Sequence, residues 1–345
     1  MARRLLWASL GLAPITIIVR FVFDPGDVAL FVLAAISLVP LAWLIGEATE
    51  HAAKLTGPGI GGFLNATFGN APELIIALFA VNDGLVEVVR GSLTGSVVGN
   101  LLLVLGVSLI VGPSKEIDRS SALTSVGLVL GATLLFTIVA ASDWSGSAGA
   151  HTLEVMSIPI SVVLLLVYLG VTAWQLRRHR MLFTSSDDDT SAWSLQQTLI
   201  TLGLATAATA LIAEILVGSI EVFAESLHLS DFFVAAVIVA IVGNAAEHGG
   251  AVIVAHRGRV KLATEIAVSS SAQVAVFLIP AVAVISWAIS PLSFAFRQVE
   301  IAVMGGAAIL TLAILARGRS SSWRGWVLVA GYGVAAAVFY KAGGR

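Results

Sequence analysis

Apolar residues run along this chain in long blocks divided by short polar breaks, with neither strict alternation nor one polar helical face. A helix crossing about 30 Å of hydrocarbon needs roughly 20 such residues, and the blocks have that length. They predict an all-α polytopic membrane protein of about eleven transmembrane helices. The expected cores are Leu5–Val22, Val28–Ala48, Ile60–Val81, Leu93–Val111, Ala122–Ala140, Leu153–Trp174, Leu195–Val222, Phe232–Ala255, Ala263–Ile289, Ile301–Leu315 and Trp326–Tyr340. Trp323, Trp326 and Tyr340, near span ends, fit interfacial anchors.

Composition agrees: 58% of residues are hydrophobic and 12% charged, about half the usual charged share of a soluble domain. A net charge of -2 argues against nucleic acid as a partner. The absence of cysteine excludes disulfides, thiolate catalysis and thiolate metal sites. Arg3 and Arg4 precede a long apolar run with no clear small-residue cleavage pattern, so this run is read as a retained first span. With the N-terminus in the cytoplasm, alternate loops leave only Arg20, Arg90, Arg297, Lys341 and Arg345 on the other side. That asymmetry supports an odd number of spans and an external C-terminus.

The sequence also repeats. Thr67-Phe-Gly-Asn-Ala-Pro-Glu73 and Ile241-Val-Gly-Asn-Ala-Ala-Glu247 share Gly, Asn, Ala and Glu at an offset of 174 positions. Leu44-Ile-Gly-Glu47 and Leu211-Ile-Ala-Glu214 match one span earlier. Gly95-Ser-Val-Val-Gly-Asn100 and Val268-Ser-Ser-Ser-Ala-Gln273 correspond one span later. The expected organisation is a leading helix (1–26), a first five-helix repeat (27–176), a cytoplasmic linker (177–194) and a second repeat (195–345). Five spans per copy is odd, so the copies enter from opposite faces, an architecture common in secondary transporters. The linker, with Asp187-Asp188-Asp189, reads as solvated.

Glu73 and Glu247 fall inside apolar spans, where an unpaired charge costs from about 3 to over 10 kcal/mol. Each needs a partner, a proton or a cation. Pro72 and the preceding Gly-Asn predict a break near Gly69. A break frees carbonyls, tolerable in lipid only beside a protein-lined cavity. Carboxylate, amide and carbonyl oxygens form a hard ligand set suited to Ca²⁺. Asn70 with Glu73, and Asn244 with Glu247, also have helix-capping spacing, so capping is a competing or second role.

Ser96 and Asn100 share a helix face, as do Ser269 and Gln273, and either ligate or bond neighbouring helices. Glu47 and Glu214 lie at mirror depths, with Glu50 and His51 close to Glu47. Proton relay, cation attraction and plain charge pairing are all open to them. His248 suits hydrogen-bonded packing better than proton transfer.

These motifs resemble the calcium/proton exchangers (CAX) of the calcium/cation antiporter superfamily. The resemblance rests on Asn65-Ala-Thr-Phe-Gly-Asn-Ala-Pro-Glu73-Leu, Gly243-Asn-Ala-Ala-Glu247-His and the segments following Ser96 and Ser269, and extends from Val28 onward. It implies cation ligands on kinked third and eighth spans: Glu73 and Glu247 as principal ligands, Gly69 and Gly243 through carbonyls, and Asn70, Asn244, Ser96, Asn100, Ser269 and Gln273 in support. Sodium/calcium exchangers of the superfamily usually carry Thr or Ser around Gly69-Asn70 and Gly243-Asn244, so the resemblance is to the proton-coupled branch. Gly99 departs from the family's frequent serine. The expected function is a non-enzymatic Ca²⁺/H⁺ antiporter in a prokaryotic inner membrane, with Ca²⁺ as substrate, protons as counter-ion and no cofactor. A Na⁺, K⁺ or Mn²⁺/H⁺ antiporter is the alternative, and a gated cation channel ranks below it.

Overall fold

The computed structural model describes residues 2–23, 25–146, 149–179, 193–293 and 295–343. Among them the chain is helical, with no strand beyond an isolated bridge between Glu116 and Arg319. The helices are α1 (Leu5–Phe23), α2 (Asp27–Phe68), α3 (Ala71–Asn82), α4 (Val86–Val111), α5 (Arg119–Trp144), α6 (Ala150–His179), α7 (Leu195–Gly218), α8 (Ile220–Ser226), α9 (Asp231–Gly243), α10 (Ala245–His256), α11 (Val260–Ser286), α12 (Gln298–Leu315) and α13 (Ser322–Ala342). Nine helices among the described residues are long and apolar enough to cross a membrane, or ten if α8 and α9 count as one span bent by 108°.

That is fewer than the eleven expected, because the third and eighth expected spans are interrupted: α3, a short helix, follows a break after Phe68, and α9 and α10 flank Asn244. Several boundaries differ from expectation, among them the start of the fourth span, at Val86 rather than Leu93. The seventh span stops at Gly218 rather than Val222, and a separate short helix, α8, starts after Ser219. The loop expected around Lys54 is helical, with Lys54 paired to Glu50 at 3.0 Å. Gly69 nevertheless shares a cavity with Gly46, whereas a straight helix would separate them by about 35 Å. The helix is therefore not straight between these two residues. Arg180 and Asp187-Asp188-Asp189 of the linker lie outside the described residues.

Burial separates centre from rim. In α4 and α11, 78% and 67% of the apolar window is buried, against 11% in α1 and 17% in α6. The rim helices turn Leu5, Phe21, Leu166 and Leu169 outward, as lipid contact requires. α2 lies along α7, α5 along α12 and α10 along α11, while α4 is wedged between α9 and α13.

Ionic contacts tie the ends of the central helices. At one face Glu87 bridges Arg90, at 2.6 Å, and Arg297; both arginines reach the fully buried Glu300, at 3.6 and 2.9 Å. At the other, Asp118 caps α5 through the Ser121 amide and pairs with Lys261 at 3.1 Å. That amide bond, with the Lys261 ammonium, holds the Asp118 carboxyl below its ordinary range.

Candidate functional site

Pro72 has no amide hydrogen to return to residue 68, so the helix must restart here. It does so at Ala71, with Pro72 in the first turn. The second break has no proline, yet α9 ends at Gly243 and α10 begins at Ala245. Glu73 and Glu247 occupy the first turns of α3 and α10, where unfilled amides and the helix dipole favour negative charge. The preceding segments end at the same places, turning their last carbonyls toward the breaks.

Capping is not what the asparagines do. Neither the Asn70 nor the Asn244 side chain accepts a capping bond, although each stands in the cap position. Both amides reach across to the other half of the chain. Asn70 Nδ2 donates to Gln273 Oε1 at 3.1 Å, and Asn244 Nδ2 to Ser96 Oγ at 2.9 Å. Asn100 Nδ2 donates to Ser270 Oγ at 3.1 Å and reaches Asn244 Oδ1 at 3.5 Å. His248 Nε2 lies 3.1 Å from Asn100 Oδ1. Ser270 in turn donates to Glu247 Oε2.

The two breaks meet. A Cβ built on Gly243 would lie 3.3 Å from Glu73 Cγ and 3.8 Å from Glu73 Oε1, so the first-half carboxylate rests against the second-half break. Glu73 is buried, and its Oε2 has no hydrogen-bond partner among the described residues. No group of three or more His, Cys, Asp or Glu able to hold a metal occurs among the described residues. The centre thus offers two acids surrounded by neutral amide, hydroxyl and carbonyl oxygens.

A cavity of about 220 Å³ leads from this centre to one face, lined by Ala42, Trp43, Gly46, Glu47, Glu50, Gly69, Gly243, Ala246 and Glu247. Glu47 and Glu50 therefore stand at its mouth. Glu214 is elsewhere, in a separate cavity of about 170 Å³ with Arg20 and Asp27. Ser269 accepts a 3.5 Å bond from Gln273, while its neighbour Ser270 meets Glu247. The sequence does not single out Ser270, because three consecutive serines leave the register open.

The profile of the family described as sodium/calcium exchanger protein matches residues 27–177 and 197–341. The chain belongs to that family. Within it, the chain is 37% identical to the Ca(2+)/H(+) antiporter ChaA of Bacillus subtilis, over 95% of this chain and 96% of that protein. It is 33% identical to a Ca(2+)/H(+) antiporter of Synechocystis, over 91% of each. Rice vacuolar cation/proton exchanger 1b is 34% identical, over 91% of this chain and 75% of its own length. The solved structure of native YfkE superposes with a TM-score of 0.84 at 33% identity, covering 97% of this chain and 99% of that one. An H+/Ca2+ exchanger, CAX, shares the fold at a TM-score of 0.75, with 15% identity over 99% of this chain and 92% of its own.

Proposed function

We infer that this exchanger-family protein is a secondary active Ca²⁺/H⁺ antiporter, exporting calcium from the cytoplasm against inward-moving protons. One observation carries the reading: Glu73 and Glu247 each sit in the first turn after a helix break, the Glu73 carboxylate rests against the other half's break at Gly243, and one Glu73 oxygen has no hydrogen-bond partner among the described residues. Extensive similarity to proteins named Ca(2+)/H(+) antiporters supports calcium and protons as the two ions.

The mechanism follows from charge. In one state both carboxylates are ionised and share a divalent cation with neutral oxygens from the breaks and from Asn70, Asn244, Ser96, Asn100, Ser270 and Gln273. Ca²⁺ accepts six to eight such ligands at about 2.3–2.6 Å with flexible geometry. In the other state both carry protons. An empty dianionic centre bears the full burial cost, so only the two occupied forms reorient readily and the ions exchange. Residues 27–176 and 195–345 act as the opposed repeats of this motion, joined by 177–194 and preceded by the helix in 1–26. The N-terminus is cytoplasmic and the C-terminus outside, in a prokaryotic inner membrane. The cavity bearing Glu47 and Glu50 is then the cytoplasmic entrance, and Glu214 serves the outer one. His248 holds Asn100 in place.

Inverted membrane vesicles test this directly. Wild-type protein is expected to accumulate ⁴⁵Ca²⁺ uphill when the lumen is acid, with saturation, whereas a channel would only equilibrate it. Glu73→Gln and Glu247→Gln should each reduce uptake at least 100-fold while purifying as folded protein, because one neutralised acid leaves neither ion state complete. Uptake preserved in either variant would sink this site. A panel of Na⁺, K⁺ and Mn²⁺ in the same vesicles separates calcium from the other cations.

A further inference from the structure

Behind the entrance, on the strip of α2 adjoining the one that lines the cavity, lies an aromatic group outside the transport site. Trp193 precedes α7, whose start is pinned by reciprocal bonds: Gln197 N donates to Ser194 Oγ at 3.2 Å, and Ser194 N to Gln197 Oε1 at 3.0 Å. The Trp193 ring stacks on His51, with centroids 4.6 Å apart and planes inclined by 16°. The His51 ring is oriented by a 2.9 Å bond between its Nδ1 and the Glu47 carbonyl. From the leading helix, Trp7 sets its edge on Trp43 at 5.4 Å and leans on Trp193 at 6.3 Å. Trp193 also packs with Leu44 and Phe68 against a small cluster of Ile45, Ala48, Leu202 and Ala205, separate from the main core.

These contacts join four parts of the chain: α1, the start of α7, the α2 segment carrying Glu47 and Glu50, and Phe68, which abuts Gly69 at the first break. Trp43 touches both systems, lining the cavity on one side and meeting Trp7 on the other. Stacked aromatic rings fill such a gap rigidly and with few rotatable bonds. A helix supported from behind keeps the cavity in front of it open.

We propose that Trp193, with Trp7 and His51, is a buttress that holds α2 in the position opening the cavity toward the face of Glu47 and Glu50, making Trp193 a positioning residue for ion entry. This deepens the exchanger reading and rests on it. Apparent affinity equals intrinsic affinity reduced by the fraction of molecules in the competent state. Loss of the buttress lowers that fraction, so affinity at this face falls while a saturated transporter still turns over.

Two readouts test it. In inverted vesicles Trp193→Ala should raise the KM for Ca²⁺ about 3- to 10-fold with little change in Vmax, and Trp193→Phe, which keeps a stacking ring, should return KM to within about twofold of wild type. The second readout needs no transport. The chain has no cysteine, so Ala246→Cys places a single thiol in the cavity. A membrane-impermeant maleimide should label it several-fold more slowly when Trp193→Ala is added. His51→Ala removes the same stack from the other side and should slow labelling alike, which covers the case of a poorly folded Trp193 variant. Unchanged labelling in both variants, or a fall in Vmax at constant KM, would overturn the buttress. Wild-type protein that labels normally but carries no calcium would instead count against the exchanger reading.

Discussion

At position 243 a hydrogen stands where any other residue would put a carbon 3.3 Å from Glu73 Cγ. That spacing is tight enough to push the carboxylate aside by a few tenths of an ångström, so glycine here shapes the site as well as ending α9. Gly243→Ala is expected to raise the KM for Ca²⁺ about tenfold while the protein stays folded, since small misplacements of a reacting or ligating group carry penalties of this order. Vesicle uptake against calcium concentration measures it, and an unchanged KM would mean that Glu73 does not ligate from this position. Glu73, Glu247 and the two asparagines stand out in the sequence as polar groups amid apolar blocks, and Gly243 by its place in the repeated motif. Ser270 does not, because one residue along a helix turns a side chain by about 100° and no contrast among Ser269, Ser270 and Ser271 reveals which faces inward.

Close backbone contact decides the course of α4. A Cβ on Gly95 would fall 2.0 Å from the Ala236 carbonyl oxygen, and one on Gly91 2.6 Å from that of Phe232. Helices in lipid gain no hydrophobic drive from each other, so small residues that let backbones approach supply the packing. Near its other end, a Cβ on Gly325 of α13 would fall 2.5 Å from the Gly106 carbonyl oxygen. Around Asn100 the helix widens into a π-helical turn, Gly99–Val104, a feature frequent at functional sites and one that alters the simple four-residue face shared with Ser96. Gly95→Ala is expected to destabilise the protein by about 3 kcal/mol through overpacking, whereas Gly99→Ala, with nothing within 4 Å, should change stability by under about 0.5 kcal/mol. Thermal unfolding of the detergent-purified variants compares the two, and equal stability would refute the glycine-dependent contact.

Across the whole molecule, the ionic ties at the two faces mirror one another with charges exchanged. Glu87 at the start of α4 pairs with Arg297, the residue before α12; Lys261, which follows Glu87 by the same 174 positions that separate the acidic motifs, pairs with Asp118, the residue before α5. Sequence comparison alone hides this correspondence, since a reversed charge pair scores as a mismatch. The Glu87 face is the more elaborate: Arg297 also bonds the Ala342 carbonyl at 3.2 Å and lies 4.4 Å over the Phe232 ring, uniting α4, α9, α12 and α13. Glu300→Ala would leave Arg90 and Arg297 without their buried partner and should cost roughly 3 kcal/mol of stability. A midpoint of unfolding within a degree of wild type would show that solvent replaces Glu300 without loss.

The all-helical membrane character, the approximate spans and the pair of intramembrane acids were determined by sequence alone, because the bilayer imposes a length on apolar blocks and a steep penalty on buried charge. Local chemistry also marked where Pro72 would end a helix. Tertiary structure alone decided that Asn70 and Asn244 bond across the halves instead of capping, that Ser270 rather than Ser269 meets Glu247, and that Glu47 and Glu50 share a cavity with the centre while Glu214 does not. These outcomes depend on the rotation and approach of helices far apart in the chain, and no run of neighbouring residues records those distances.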